Sequence, residues 1–256
     1  MDIPDLPFDP VRLNLSDAEL PSVSILMPCY MRREFLPLIA SNIQCQSYPK
    51  EKLELVILQD GPEDLFESPE SLNKFRAEIY PVRLTYKYES GIRRSIGEKR
   101  NKLVKMSKYK ICAMMDSDDV YLSDYIRYSV NGLKEYNAGI TSSACMIFTY
   151  PHLDFKMSAI KCGYKYQCHE GAAVFTKKYF NSMNGFKKNS QGEGVQMFSG
   201  PESKILNLDI NRLMICVAHN NNTIDKQQFL NINNDFAEFT DESLKQLLRS
   251  ILNLSD

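Results

Sequence analysis

The chain has 256 residues, 31 of them lysine or arginine and 32 aspartate or glutamate, for a formal net charge of −1. So balanced a composition excludes a global field that would draw the protein onto nucleic acid or an anionic membrane, and any affinity for phosphate has to be local. The length suits one large domain that buries roughly 70 to 75% of its unfolded surface. Residues 1–17, MDIPDLPFDPVRLNLSD, carry acids and prolines where a signal peptide needs a basic flank and an apolar core. No apolar run reaches the ~18 to 20 residues that span a bilayer, so a soluble, cytoplasmic protein is expected. Of the seven cysteines, Cys29, Cys112, Cys145 and Cys216 lie inside apolar runs, where a reduced thiol packs as a small hydrophobe. CGYKYQCH, residues 162–169, has a spacer outside the usual zinc spacing and no second ligand pair, and reads as structural.

In chain order, Pro4, Pro7 and Pro10 make residues 1–20 an extended lead-in, because each ring fixes its own φ and discourages helix before it. SVSILMP and LELVIL are short, branched, apolar runs, and between them Phe35, Leu38, Ile39 and Ile43 recur at helical spacing. This is a strand, helix, strand unit, and continuous apolar strands of that kind belong in a parallel sheet covered on both faces. VRLTYKY alternates as a half-exposed strand, SIGEKRNKLVKMSKY reads as a helix, and KICAMM supplies another buried strand. Beyond them come a helix at YLSDYIRYSVNGLKEY and strands at SACMIFTY, GAAVFT and RLMICVAH, joined by loops rich in glycine and asparagine. TDESLKQLLRSILNL closes the chain as an amphipathic helix with Thr240 as N-cap and Asp241 and Glu242 in its first turn; packing on the domain is its expected use. The organisation expected is a lead-in at 1–20, one domain at 21–225 split into a nucleotide-binding half (21–120) and an acceptor-side half (121–225), and a helical tail at 226–256.

The buried strand KICAMM runs directly into Asp116, Asp118 and Asp119. Crowded like charges are costly without a cation or hydrogen-bond donors, so the stretch demands a partner. Acids at a strand's carboxyl end also sit where open α/β sheets form their ligand crevice. With 16 aspartates in 256 residues about one Asp-x-Asp arises by chance, so context has to decide.

That context resembles glycosyltransferase family 2, nucleotide-sugar enzymes of GT-A fold, over roughly residues 21–224, in several blocks and in the family's order. VSILMPCYMRREFLPLIASNIQCQSYP is similar to the opening strand and helix, and LELVILQDGPED to the second strand and its Asp-Gly-Ser turn. IGEKRNKLVKMSKYKICAMMDSDD resembles the Gly-x-x-x-Arg-Asn helix at its usual distance from the acidic motif. GAAVFTKKYFNSMNGF is similar to the acceptor-side segment, and GEG and VAHNNNT to the late acidic and histidine motifs. The fold implied is α/β: a Rossmann-like, mostly parallel central sheet with helices on both faces, a mixed acceptor-side half and a C-terminal helix.

The resemblance implies that Pro28, Tyr30, Asp60, Arg100, Asp116, Ser117 and Asp118 bind a nucleotide sugar. Tyr30 would stack on the base, or is an ordinary strand-end aromatic; Asp60 would accept the imide hydrogen of uracil, or forms the turn beside Gly61. Gln59 replaces the first acid of the family's Asp-Asp pair. Asp118 would be the direct ligand of Mn²⁺ or Mg²⁺, with Asp116 near the ribose or a metal-bound water, and Asp119 a supporting group or a helix N-cap. Arg100 would face the diphosphate, with Arg93, Arg94 and Lys99 nearby or merely solvated. Glu193 is the candidate base for an inverting displacement, or a solvated loop acid; GEG departs here from the commoner Gly-Glu-Asp. His219 would offer a metal or diphosphate contact, or is a satisfied strand-end group, and His152 and His169 read as structural.

The activity implied is transfer of a sugar, most plausibly from a uridine diphosphate donor, to a hydroxyl of a glycan, protein or lipid, with no nucleic acid partner. A silent sugar-nucleotide or glycan binder is the alternative from another class. A nucleotidyltransferase would want a glycine-rich, lysine-bearing phosphate loop that MPCYMRRE lacks, and an Asp-x-Asp phosphatase would carry its motif on the first strand.

Overall fold

The computed structural model describes residues 7–222, 224–232 and 239–254. Pro4 of the lead-in, Thr223 of the VAHNNNT segment and residues 233–238 and 255–256 of the tail lie outside them. In chain order the elements are β1 (Val23–Tyr30), α1 (Leu36–Gln44), β2 (Leu53–Gly61), α2 (Pro69–Glu78), β3 (Arg83–Ser90), α3 (Ile96–Met106), β4 (Ile111–Met114), β5 (Val120–Tyr121), α4 (Tyr125–Glu135), β6 (Ile140–Ser142), β7 (Cys145–Tyr150), β8 (Lys156–Lys161), β9 (Val174–Thr176), α5 (Lys177–Ser182), β10 (Ile205–Asn207), β11 (Met214–Val217) and α6 (Glu242–Leu252).

The main sheet has seven strands in the order β10-β6-β9-β4-β1-β2-β3. β4, β1, β2 and β3 run parallel, and β9 is antiparallel to both β4 and β6. β2 is buried along its whole length, which is why its sequence is an unbroken apolar run rather than an alternating one. β1 starts the sheet at its centre and the chain returns to its other side at β4, so the strand order reverses between those two. That reversal opens a crevice at their carboxyl ends, where Tyr30 and Asp116 emerge. A second sheet, β5-β11-β7-β8, packs beside it and brings the end of β11 to the same rim.

The described parts of the lead-in and of the tail both pack on the domain. Asp9 N–H donates to the Asn207 carbonyl, Leu15 N–H donates to Asn131, and Leu20 is buried, so the lead-in runs along α4 and the β10 edge. At the other end Asp241, not Thr240, caps α6, accepting from Leu244 N–H at 3.0 Å; the acid one residue on already satisfies the orphan donor, which shifts the helix start to Glu242. Leu248 and Ile251 of α6 pack with Phe35, Leu38, Phe155 and Val217. Among the described residues no helix is long and apolar enough to cross a membrane.

Candidate functional site

The crevice at the strand reversal is a cleft of about 800 Å³. Pro28, Tyr30, Arg100, Asp116, Ser117, Asp118 and Glu193 all line it, bringing together residues that stand up to 165 positions apart in the sequence.

The acidic loop is held from beneath by buried tyrosines and Asn42. The Asp116 N–H donates to the Tyr121 hydroxyl at 2.7 Å, which donates in turn to the Gly171 carbonyl at 2.8 Å. Tyr125 ties down the Met114 carbonyl, and Asn42 brackets the loop by donating to the Asp119 carbonyl and accepting from Tyr121 N–H. With the backbone fixed, each acid meets a cation, Asp116 sharing its own with Glu193. Asp116 lies 3.4 Å from Arg100 Nη2, Asp118 Oδ2 lies 3.2 Å from Arg32 Nε, and Asp119 Oδ1 lies 2.8 Å from Lys226 Nζ. The charge problem posed by the sequence is therefore met largely within the protein.

These partners set the protonation of the acids. Burial works against ionised Asp118, but the His219 hydrogen bond and the Lys226 and Arg32 charges prevail and hold its carboxyl well below the usual range. Asp119 is more deeply enclosed; burial pushes it up despite Lys226, and its Oδ1 also accepts Val217 N–H at 2.8 Å. It ties the loop to β11 and is not an N-cap, a position Asp124 takes for α4.

His219 lies directly against the candidate metal ligand Asp118. Its Nδ1 accepts Asn221 N–H at 3.2 Å, so the neutral ring carries its proton on Nε2 and donates to Asp118 Oδ2 at 3.0 Å. The ring leans on Phe35 behind Asp118 and orients that carboxylate instead of facing the cleft.

Asp60 is corrected more sharply. It is fully buried, with Oδ1 2.5 Å from Lys99 Nζ and Oδ2 accepting Arg94 N–H at 2.7 Å, and it does not line the cleft. Asp60 pairs in register with Tyr30, and its neighbour Gln59, equally buried, is the residue of the two that lines the cleft. Gln59 Nε2 donates to the Glu63 carbonyl at 2.8 Å, which fixes the amide, while its buried Oε1 has no partner among the described residues. Tyr30 stands nearby, its edge so close to Gly61 (φ 104°) that a Cβ there would lie 2.6 Å from the ring, and the Arg93 guanidinium covers one face, 3.2 Å from the centroid. Met31 follows in the left-handed region at φ 50°, uncommon for a non-glycine residue, and turns Arg32 back beneath the loop.

Glu193 is positioned by α3. A Cβ on Gly97 would collide with the Lys187 carbonyl, and Gly97 N–H donates to the Asn189 carbonyl at 3.0 Å, so the loop can lie on the first turn of the helix. Asn101 clamps the next turn, donating to and accepting from the Phe186 backbone. Between them Arg100, 4% exposed, faces Glu193 Oε1 at 2.8 Å. Gly192 supplies a positive φ of 62°, and Gly194 leaves room for Glu170, not for a ligand; Glu170 Oε1 accepts Gly194 N–H at 3.2 Å. Burial raises the Glu193 carboxyl above the usual range, with Arg100 opposing and Glu170 and Asp116 reinforcing.

Arg32, His169, Glu170 and Lys226 also line the cleft. His169, expected to be structural, has a buried Nδ1 without a partner among the described residues, and burial pushes its pKa down. No spacing marked these four; only the position of Arg32 beside Tyr30 hinted at one of them.

Against known families, residues 24–200 match the model described as glycosyl transferase family 2. The chain belongs to that family. Its fold is accordingly GT-A. A mannosyltransferase from Pyrobaculum calidifontis, PcManGT, in complex with GDP-Man and Mn²⁺, superposes with a TM-score of 0.62 at 18% identity, over 86% of this chain and 63% of that one. Residues 1–349 of S. aureus TarS in complex with UDP-GlcNAc give 0.61 at 14% identity, over 91% of this chain and 72% of that one. This family 2 chain thus spans less than two thirds of the mannosyltransferase. A comparison with curated proteins finds no match.

Proposed function

We propose that this family 2 protein is an inverting, divalent-metal-dependent glycosyltransferase that moves a sugar from a nucleotide diphosphate, most simply a uridine diphosphate, to a hydroxyl of a glycan, protein or lipid. The observation that carries the reading is the convergence of Asp116, Asp118, Arg100 and Glu193 on one cleft at the sheet's reversal point. Family membership and the nucleotide-sugar complexes of the two similar structures support it.

Among the described residues no group of three or more acid, histidine or cysteine side chains is gathered to hold a metal, so the protein would supply one or two carboxylate oxygens and the diphosphate the rest. The hydrogen bonds of Asp118 all fall on Oδ2, from Arg32, His219 and Asn222, which leaves Oδ1 for a metal, with Asp116 beside it; oxygen donors of this kind suit manganese or magnesium. When bound, such a metal supplies charge neutralisation to the departing diphosphate. The protein's own contributions are distinct. Arg100 fixes Asp116 and Glu193 relative to one another, Glu193 accepts the proton of the acceptor hydroxyl, and the Tyr30–Arg93 pair offers an aromatic and guanidinium surface to the base.

Gln59, not Asp60, is the base reader in this account, its unpartnered Oε1 accepting the imide N–H of uracil. Gln59→Leu is expected to weaken UDP binding about three- to tenfold, the worth of one hydrogen bond, in calorimetric titration. The free protein should lose only about 1 kcal/mol of stability, because the substitution removes the hydrogen bond to the Glu63 carbonyl together with a buried, unsatisfied oxygen.

The direct experiment is a panel of UDP, GDP, ADP and CMP sugars with Mn²⁺ or Mg²⁺, assayed for slow donor hydrolysis. Turnover of one class supports the transferase reading. Nucleotide binding with neither hydrolysis nor transfer on acceptor screening would favour a silent binder, to which the Glu193–Arg100 ion pair and the Gln59 replacement lend themselves.

A further inference from the structure

The guanidinium of Arg32 is held on all sides. Nη1 donates to the carbonyls of Tyr30 at 3.3 Å and Met31 at 3.2 Å, Nη2 donates to the Asn221 carbonyl at 2.6 Å, and Nε donates to Asp118 Oδ2 at 3.2 Å. The side chain is 10% exposed and leans over Phe35. Three backbone carbonyls from two separate loops anchor the cation, so it cannot swing away when something binds to Asp118. An arginine stays protonated at any working pH, and the charge is therefore permanent.

A permanent positive charge at this distance from the candidate metal ligand has two opposite consequences. It balances Asp118 before anything arrives, and Lys226 does the same for Asp119, so the loop has little electrostatic need for a free cation. A divalent ion entering alone would face a fixed like charge in a poorly screened pocket. A nucleoside diphosphate carries compensating negative charge, and with it the same ion becomes welcome.

We infer that Arg32 is a fixed counter-charge that makes the site reject free divalent ions and accept them together with a nucleoside diphosphate. The inference rests on the nucleotide-diphosphate reading above and adds to it a determinant of how the ligands enter: metal and nucleotide each raise the other's affinity, by the same factor. Arg32 contacts Asp118 in the ligand-free protein and acts on the ligands through its charge.

The test is Mn²⁺ binding followed by electron paramagnetic resonance, with and without UDP, on the full chain and on Arg32→Gln and Arg32→Lys, beside calorimetric titration of UDP in the presence of chelator. The wild type should bind Mn²⁺ alone at least about tenfold more weakly than it does in the presence of UDP. Arg32→Gln should bind Mn²⁺ alone about tenfold more tightly than wild type and metal-free UDP about tenfold more weakly, whereas Arg32→Lys, which keeps the charge, should stay within about threefold of wild type on both. A loss of local structure alone would weaken both ligands and cannot produce the opposite signs. If Arg32→Gln leaves the affinity for Mn²⁺ alone unchanged or lower while Mn²⁺ with UDP still binds, the role of Arg32 is overturned and the nucleotide reading stands. Should Arg32→Gln fail to fold, equal Mn²⁺ affinity of the wild type with and without UDP overturns it by itself. If UDP binds under no condition, the nucleotide reading fails as well.

Discussion

Glu193→Gln is expected to lower turnover by about 10²- to 10⁴-fold, the usual worth of a positioned general base, while UDP binding stays close to wild type. Glutamine keeps the shape of the side chain and its place beside Arg100 but cannot take a proton. Burial raises the Glu193 carboxyl, partly offset by Arg100 and reinforced by Glu170 and Asp116. A base works only when ionised, so wild-type activity should climb with pH through a value above the ordinary glutamate range, and that acidic limb should disappear from the residual activity of the variant. Steady-state kinetics from pH 4 to 8 on the identified donor would measure both. Unaltered turnover in Glu193→Gln would move the base elsewhere, with His169 and Glu170 other groups of suitable chemistry in the same cleft.

Lys99→Met should cost about 3–5 kcal/mol in urea unfolding, because it leaves the fully buried Asp60 without its counter-charge. Lys99 Nζ also donates to the Cys29 carbonyl at 2.8 Å, so the loss falls on the end of β1, where Tyr30 and Arg32 begin. Burial lowers the lysine's pKa and Asp60 counters it, the balance expected of a pair that persists by mutual compensation. Replacing both residues, as Lys99→Met with Asp60→Leu, should recover most of the loss, since an apolar pair of similar volume leaves no charge stranded. A single substitution costing under about 1 kcal/mol would mean that water reaches Asp60 and that its role is not structural.

The first half of the fold was readable because β1, β2 and β4 are buried on both faces, so that LELVIL announces β2 without ambiguity, and because the half-exposed β3 alternates. α2 was not, since Phe75 is its one fully buried residue and no apolar stripe marks it; Ser68 followed by Pro69, a capping box with proline at the helix start, was the signal available. The acceptor-side half resisted for a different reason. β9 inserts antiparallel between β4 and β6, and a two-residue β5 joins β11, pairings between distant segments that local pattern does not encode.

At the site, Asp116, Asp118, Arg100 and Glu193 were legible from motif order, and the structure brings them onto one cleft. Asp60 is in register with Tyr30, but Lys99 and the Arg94 N–H engage both of its oxygens, a buried pairing that motif order does not announce. His219, expected to contact a metal or the diphosphate or to be a satisfied strand-end group, lies 3.0 Å from Asp118 Oδ2, and its hydrogen atom, assigned from the Asn221 contact, makes it a donor to that carboxylate. Arg32 and Lys226 went unnoticed because surface arginines and lysines are common, and only burial against an acid distinguishes these two.

The central claim is that this cleft binds a nucleoside diphosphate with a divalent ion at Asp118, and thermal unfolding with UDP and Mn²⁺ tests it most directly. At about 100 times the dissociation constant the ligand contributes about 2.7 kcal/mol, which for a chain of this size raises the melting temperature by several degrees. The account predicts that rise in the wild type and its loss in Asp118→Ala. No shift with UDP or any other nucleoside diphosphate, or an equal shift in Asp118→Ala, would contradict it.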